Sequence, residues 1–125
     1  MYMTYCNAGH NPPFYWDSKA KKILDLTVGG TFVGQFADVP FSNGEISISE
    51  NDKFLAYTDG VTESEDVDRN LFGSERLKES FINNINDKPE DYCKKIKDWV
   101  DRFSEGTGDE TIDDFTLIQI AIGRD

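Results

Sequence analysis

Lys53-Phe54-Leu55-Ala56-Tyr57-Thr58-Asp59-Gly60-Val61-Thr62-Glu63 is the stretch on which the fold turns. Its first six residues have the continuous apolar content of a strand buried on both faces, and that strand ends directly at Asp59-Gly60. Working upstream, Ile46 and Ile48 alternate with Ser47 and Ser49 before Glu50-Asn51-Asp52 turns the chain. Met1 to Asn7 sets Tyr2, Thr4 and Cys6 against Met3, Tyr5 and Asn7, the period of a strand. Gly9-His10-Asn11-Pro12-Pro13 is dense in turn formers and leads into a second short strand, Phe14 to Trp16, before a turn at Asp17-Ser18-Lys19, so the opening reads as a hairpin. Ile23 to Val28 reads as a third strand, followed by a looser stretch with Gly29-Gly30 and Gly34.

Downstream of the stretch, an acidic loop precedes two helices. Ser74 is placed to cap the first, with Leu77, Phe81, Ile82 and Ile85 on one side. Asp87 is placed to cap the second, with Pro89 in its first turn and Glu90 three residues on, as in a capping box. Tyr92, Ile96, Trp99 and Phe103 form its apolar face, and Gly106 and Gly108 end it. Phe115 to Ile122 returns as a strand with Ile118, Ile120 and Ile122 read as inward. Strands, two adjacent helices and a final strand make an α+β layout, mainly antiparallel, rather than alternating βαβ units.

A chain of 125 residues suits one domain. Thirteen basic against 24 acidic residues leave a formal charge of −11, which argues against nucleic acid or an anionic membrane as the main partner. The longest apolar runs fall far short of the roughly 20 residues of a membrane span, and the chain reads as soluble and cytoplasmic. Cys6 and Cys93 show no CxxC pair and read as free, mostly buried thiols.

Two acidic groups sit at matching positions: Asp59 with Glu63 just after a buried strand, and Asp113-Asp114 just before one. If the strands are neighbours, their adjoining ends bring these carboxylates together, and a cation is what neutralises such a group. Oxygen donors select hard ions such as Mg²⁺ or Mn²⁺, a setting suited to phosphate-ester hydrolysis. A solvated acidic surface is the competing reading in a chain with 24 acids. Asp66-Val67-Asp68-Arg69-Asn70 opens like an EF-hand but has Leu71 where glycine is needed and Leu77 in place of the bidentate Glu. His10, the single histidine, reads either as a base or ligand or as a group ordering its turn. Gly29-Gly30 lacks the spacing and lysine of a phosphate loop, so no cofactor-binding residue is assigned.

Asn7-Ala8-Gly9-His10-Asn11-Pro12-Pro13, Phe54 to Glu63, Leu71-Phe72-Gly73-Ser74-Glu75-Arg76-Leu77 and Asp113-Asp114-Phe115-Thr116 occur in that order. With these motifs the chain resembles the C-terminal half of a bacterial SpoIIE/RsbU-type serine phosphatase, a branch of the metal-dependent protein phosphatase 2C-like family. The resemblance implies a β-sandwich flanked by helices, with two Mn²⁺ or Mg²⁺ ions whose water attacks a phosphoserine or phosphothreonine in line, without a phospho-enzyme. It implies metal ligation by Asp59 and Asp113, support from Asp114 and from Gly60 beside the ligand, and Glu63 as an acid toward the water shell. More distant relatives carry an acid where this chain has His10, so His10 marks a departure at a weak outer metal position. Glu65 to Arg69 falls where the family carries a variable flap.

The family's N-terminal half carries a Gly-Asp-x-Tyr-Asp-like motif, and nothing in residues 1–125 matches it. Residues 1–125 are therefore expected to be one partial phosphatase domain, its N-terminal half absent, with an incomplete two-metal site and little activity alone. Unpaired sheet edges favour a homodimer. The resemblance implies, as substrate, a phosphorylated regulatory protein of the anti-sigma-factor antagonist type, and hence sigma-factor regulation. The alternative is a non-catalytic pseudo-phosphatase module that binds such a partner without hydrolysis.

Overall fold

The computed structural model describes residues 1–108 and 114–123. The chain packs as two units, residues 1–55 with 121–125, and residues 56–120.

In the first unit, β1 (Tyr2–Tyr5) pairs antiparallel with β6 (Gly44–Ser47), from Tyr2 opposite Ser47 to Tyr5 opposite Gly44. A Cβ on Gly44 would lie 2.5 Å from the Tyr5 ring, so a larger residue there displaces that ring. β2 (Asn7–Ala8) pairs parallel with β5 (Gly29–Gly30). A Cβ on Gly29 would meet the Asn7 carbonyl oxygen at 1.8 Å, which only glycine avoids. β3 (Phe14–Asp17) lies between β4 (Lys22–Asp25) and β7 (Lys53–Tyr57), antiparallel to both, with Tyr15 opposite Leu24 on one side and Phe54 on the other. The opening hairpin is thus relocated: β1 finds its partner in β6, and the hairpin is β3–β4. Its turn is set by Asp17, whose Oδ1 accepts the N–H groups of Lys19 and Ala20, and by Lys21 at φ 54°.

Asp52 holds the entry to β7. Its buried carboxylate accepts the Tyr15 hydroxyl and the N–H groups of Ser18 (2.8 Å) and Ser49 (2.6 Å). Burial works against its ionisation, but these bonds outweigh burial and hold the carboxyl below the usual range. Burial first, and then Asp52, raises the Tyr15 phenol.

β8 (Leu117–Ala121) is the neighbour of β7 in the sheet order β4-β3-β7-β8. Asn51 donates to the Ile122 carbonyl and Ile122 to that of Asp52, while at the far end Thr58 donates to the Thr116 carbonyl, so the two strands run antiparallel. Burial along β7 alternates, with Lys53, Leu55 and Tyr57 buried and Phe54 and Ala56 half-buried. Only one face is fully covered, where the apolar run predicts two.

The second unit holds α1 (Asp59–Thr62), α2 (Ser74–Asn83) and α3 (Pro89–Phe103). Val61, Phe72, Leu77, Phe81, Tyr92 and Ile96 are at most 1% exposed and make its core. Phe72 is the hub, edge-on to Trp99 at 4.8 Å and to Phe103 at 5.5 Å. Neither expected cap holds. Gly73 at φ 84° precedes α2, with Ser74 its first residue, and Lys88 precedes α3 with no side-chain cap bond. Asp87 instead pairs with Lys95. Ile82 and Trp99 are partly exposed, and Val100 takes the buried place on α3.

The facing of β8 is reversed relative to its sequence reading. Ile118 and Ile120 are exposed, and Gln119 is the buried residue. Both amide atoms of Gln119 lack a hydrogen-bond partner among the described residues. Cys93 on α3 bonds the Gln119 backbone, and burial raises its thiol pKa. Both cysteines are free, and Cys6 is exposed, contrary to the expected burial. No helix among the described residues is long and apolar enough to cross a membrane.

Candidate metal centre

Thr58 and Asp59 stand at the end of β7, in the second unit. Asp59 opens α1, is exposed, and accepts the Gly60 N–H on Oδ1 at 3.0 Å. Its carbonyl accepts the Glu63 N–H at 2.7 Å, which closes one tight turn. Gly60 and Val61 are buried beneath that turn, and the Gly60 carbonyl accepts the Ser64 hydroxyl at 2.7 Å. The apolar strand and buried Val61 thereby fix the backbone that carries Asp59. Glu63 is the C-cap of the same turn and is exposed.

Thr58 ties the chain entering β8 to this point. Its hydroxyl donates to the Asp114 carbonyl at 2.7 Å and accepts the Thr116 N–H at 2.9 Å. Asp114, itself exposed, therefore stands at the same end of the β7–β8 pair as Asp59. Asp113 lies outside the described residues. Sequence reading passes over Thr58; the available signal is a hydroxyl closing an apolar strand immediately before an acid.

A hard cation takes oxygen donors, and Asp59 and Asp114 fit in kind. Among the described residues no three His, Cys, Asp or Glu side chains converge on one point. The described donors suit a cation chemically without completing its shell.

His10 lies in the first unit, in a turn whose organiser is Asn7. The Asn7 amide donates to the His10 and Leu26 carbonyls, and its oxygen accepts the His10 N–H at 2.8 Å. His10 Nδ1 lies 3.0 Å from the Asn11 carbonyl, which can only accept, so Nδ1 carries the proton in that contact. His10 is exposed, and the turn is ordered chiefly by Asn7, a residue that sequence reading gives no role.

The loop between α1 and α2 closes on itself. Phe72 donates to the Ser64 carbonyl, Gly73 to that of Thr62, and Glu65 bridges Leu71. Asp66 accepts the Asn70 amide at 2.9 Å and the N–H groups of Asn70 and Asp68, and these bonds, the Asn70 side chain first, lower its pKa. Its carboxylate is engaged within its own loop, as expected for a chain that departs from the EF-hand pattern.

The architecture defines a class. The SiaA PP2C domain of Pseudomonas aeruginosa superposes with a TM-score of 0.76 at 14% identity, over 97% of this chain and 46% of that one. The RsbU and RsbW domains of a Mycobacterium tuberculosis protein superpose at 0.66 with 25% identity, over 94% and 31%. The fold is that of a PP2C-type phosphatase domain, α+β and mostly antiparallel.

The family follows from sequence. The profile of the family described as Stage II sporulation protein E (SpoIIE) matches residues 1–123. Protein IcfG of Synechocystis is 32% identical over 120 residues, 94% of this chain and 18% of its own length. Phosphoserine phosphatase RsbU of Bacillus subtilis is 33% identical over 60 residues, 48% of this chain and 18% of its own. The chain belongs to the SpoIIE family, and it spans less than a fifth of these two relatives and less than half of the matched PP2C structures named here.

Proposed function

We propose that residues 1–125 are the C-terminal half of a metal-dependent phosphoserine/phosphothreonine protein phosphatase domain, with Asp59 and Asp113 as ligands to Mn²⁺ or Mg²⁺ and Asp114, Glu63 and Gly60 in support. The observation that carries this reading is the Thr58 hydroxyl, which holds the Asp114 segment beside the end of β7 that mounts Asp59. When bound, such an ion supplies Lewis-acid stabilisation of charge on the phosphoryl oxygens. Thr58 sets the register of the two strand ends, and the buried Gly60-Val61 turn keeps Asp59 from rotating away. Exposure of Asp59, Glu63 and Asp114 leaves this end accessible to a phosphate carried on another protein. By family likeness, that protein is a cytoplasmic regulatory phosphoprotein of the anti-sigma-factor antagonist type.

The test is Mn²⁺-dependent release of phosphate from a phosphoserine protein by the longer polypeptide that contains residues 1–125. Asp59→Asn and Asp113→Asn should each lower turnover by at least about 10²-fold at unchanged melting temperature. Residues 1–125 alone should turn over p-nitrophenyl phosphate negligibly and bind Mg²⁺ weakly in calorimetry. Full turnover in the Asp59→Asn protein overturns the assignment. Tight binding of the phosphoprotein without turnover selects the pseudo-phosphatase reading instead.

A further inference from the structure

Arg76 is the third residue of α2, and a cation there stands at the wrong end of the helix, because the free N–H groups of a first turn favour negative charge. Specific contacts hold it there. Its Nη1 donates to the Leu71 carbonyl at 2.8 Å and to the Phe72 carbonyl at 3.0 Å, and its guanidinium lies 5.0 Å from the centre of the Phe103 ring on α3. One side chain therefore ties the end of the 63–73 loop to α2 and α3. From that point hydrogen bonds run without a break to Asp59. The Phe72 N–H donates to the Ser64 carbonyl at 2.7 Å and the Gly73 N–H to that of Thr62 at 2.8 Å, which joins the two feet of the loop. The Ser64 hydroxyl donates to the Gly60 carbonyl at 2.7 Å, and the Gly60 N–H to Oδ1 of Asp59 at 3.0 Å. Val61 and Phe72, within the same stretch, are at most 1% exposed, so the backbone that carries these bonds is packed at both feet.

From this we infer that Arg76 is a positioning residue for Asp59. Through the Leu71 and Phe72 carbonyls it fixes the loop whose Ser64 braces the α1 turn, and that turn sets the direction in which Asp59 presents its carboxylate. The inference rests on the reading of Asp59 as a ligand to Mn²⁺ or Mg²⁺. Groups that orient a metal ligand are typically worth about 10–100-fold in metal affinity or activity. Arg76 acts through several bonds, so the lower end of that range applies. Lysine is an incomplete substitute, because its ammonium can reach a carbonyl but has no planar face to lay on the Phe103 ring.

The experiment uses the longer polypeptide that contains residues 1–125, with Arg76→Met, which keeps an unbranched stem but removes the donors, and with Arg76→Lys and Ser64→Ala. Without metal, hydrogen exchange followed by mass spectrometry over residues 59–73 should be at least about tenfold faster in Arg76→Met than in the wild type, with α3 unchanged. With metal, Arg76→Met should raise the Mn²⁺ concentration for half-maximal phosphate release by about 5–20-fold at unchanged KM for the phosphoprotein, with Arg76→Lys in between. Ser64→Ala should raise it likewise, and the double variant Ser64→Ala with Arg76→Met should add little, because both act on one chain of bonds. Wild-type exchange over residues 59–73 in Arg76→Met overturns the inference, and so does faster exchange that spreads through α3, which marks a general loss of stability. A wild-type Mn²⁺ requirement in Arg76→Met overturns it too, as does a rise in KM alone, which marks a contact with substrate. If Arg76→Met does not fold, Arg76→Lys and Ser64→Ala decide by the same two measurements. A wild type that releases no phosphate overturns the ligand reading of Asp59, and the exchange measurement separates that failure from a failure of the bracing.

Discussion

Residues 1–55 with 121–125 carry 5 Lys and Arg against 7 Asp and Glu, a formal −2, whereas residues 56–120 carry 8 against 17, a formal −9. The first unit is built from short strands with close glycine contacts, and it buries Phe14, Tyr15 and Trp16 while exposing Phe32, Phe36 and Phe41. The second buries Phe72 and Phe81 together with Leu77, Tyr92 and Ile96, and none of its described acids is buried. Both units bury aromatic residues and both expose apolar ones, so what divides them is charge and the side chains that fill each core.

The largest effect that could break this contrast is at Phe72 and Phe36, two phenylalanines that both lie in loops. Phe72 is 1% exposed and Phe36 is 62%. Phe72→Ala should cost about 3–5 kcal/mol, and Phe36→Ala less than about 0.5, in urea unfolding at dilute concentration. Equal losses would erase the distinction drawn between the units.

Next is the Asp52 network, the polar anchor of the first unit. Asp52→Ala removes the acceptor of the Ser18 and Ser49 N–H groups and leaves the Tyr15 hydroxyl only the Ser47 carbonyl at 3.2 Å, and it should cost about 2–4 kcal/mol. The pH dependence has a definite sign on each side. The folded carboxyl of Asp52 is depressed, so its contribution is present above the unfolded value near 3.9 and is lost as pH falls through the folded one. Tyr15 is raised, so the folded state keeps a proton that the unfolded chain releases near pH 10, and stability declines as pH climbs past about 10. Thermal melts in Asp52→Ala that retain the wild-type acid slope would assign that slope to other carboxylates.

The smallest expected effect has the opposite sign. Gln119 is buried in the second unit with neither amide atom partnered among the described residues. Gln119→Leu should stabilise by about 1 kcal/mol, since it removes an unmet desolvation cost at similar volume. A loss of stability in urea would show that the amide has a partner outside the described residues.

Much of this was legible in the sequence because local chemistry carried it. The buried run ending at Asp59-Gly60, the two helices through Leu77, Phe81, Tyr92 and Ile96, and the four ordered motifs all follow from residue type and spacing. The caps were less legible. Serine and aspartate satisfy the same pattern whether they cap a helix or, like Asp87, pair with a lysine on the following helix, and Gly73 won at α2 through its positive φ. The facing of β8 was misread for a related reason: alternation shows that a strand has two faces, but not which of them a helix covers.

The sequence by itself determined the α+β class, since strands and helices are set by side chains within a few residues of one another, and its four ordered motifs carried the resemblance to the family. Only the tertiary structure decided that β1 pairs with β6 rather than β3, that Gln119 is buried while Ile118 is not, and that Thr58 joins the Asp114 segment to the end of β7. Those contacts link residues tens of positions apart. Their geometry depends on which surfaces meet, and no local pattern of residues encodes that.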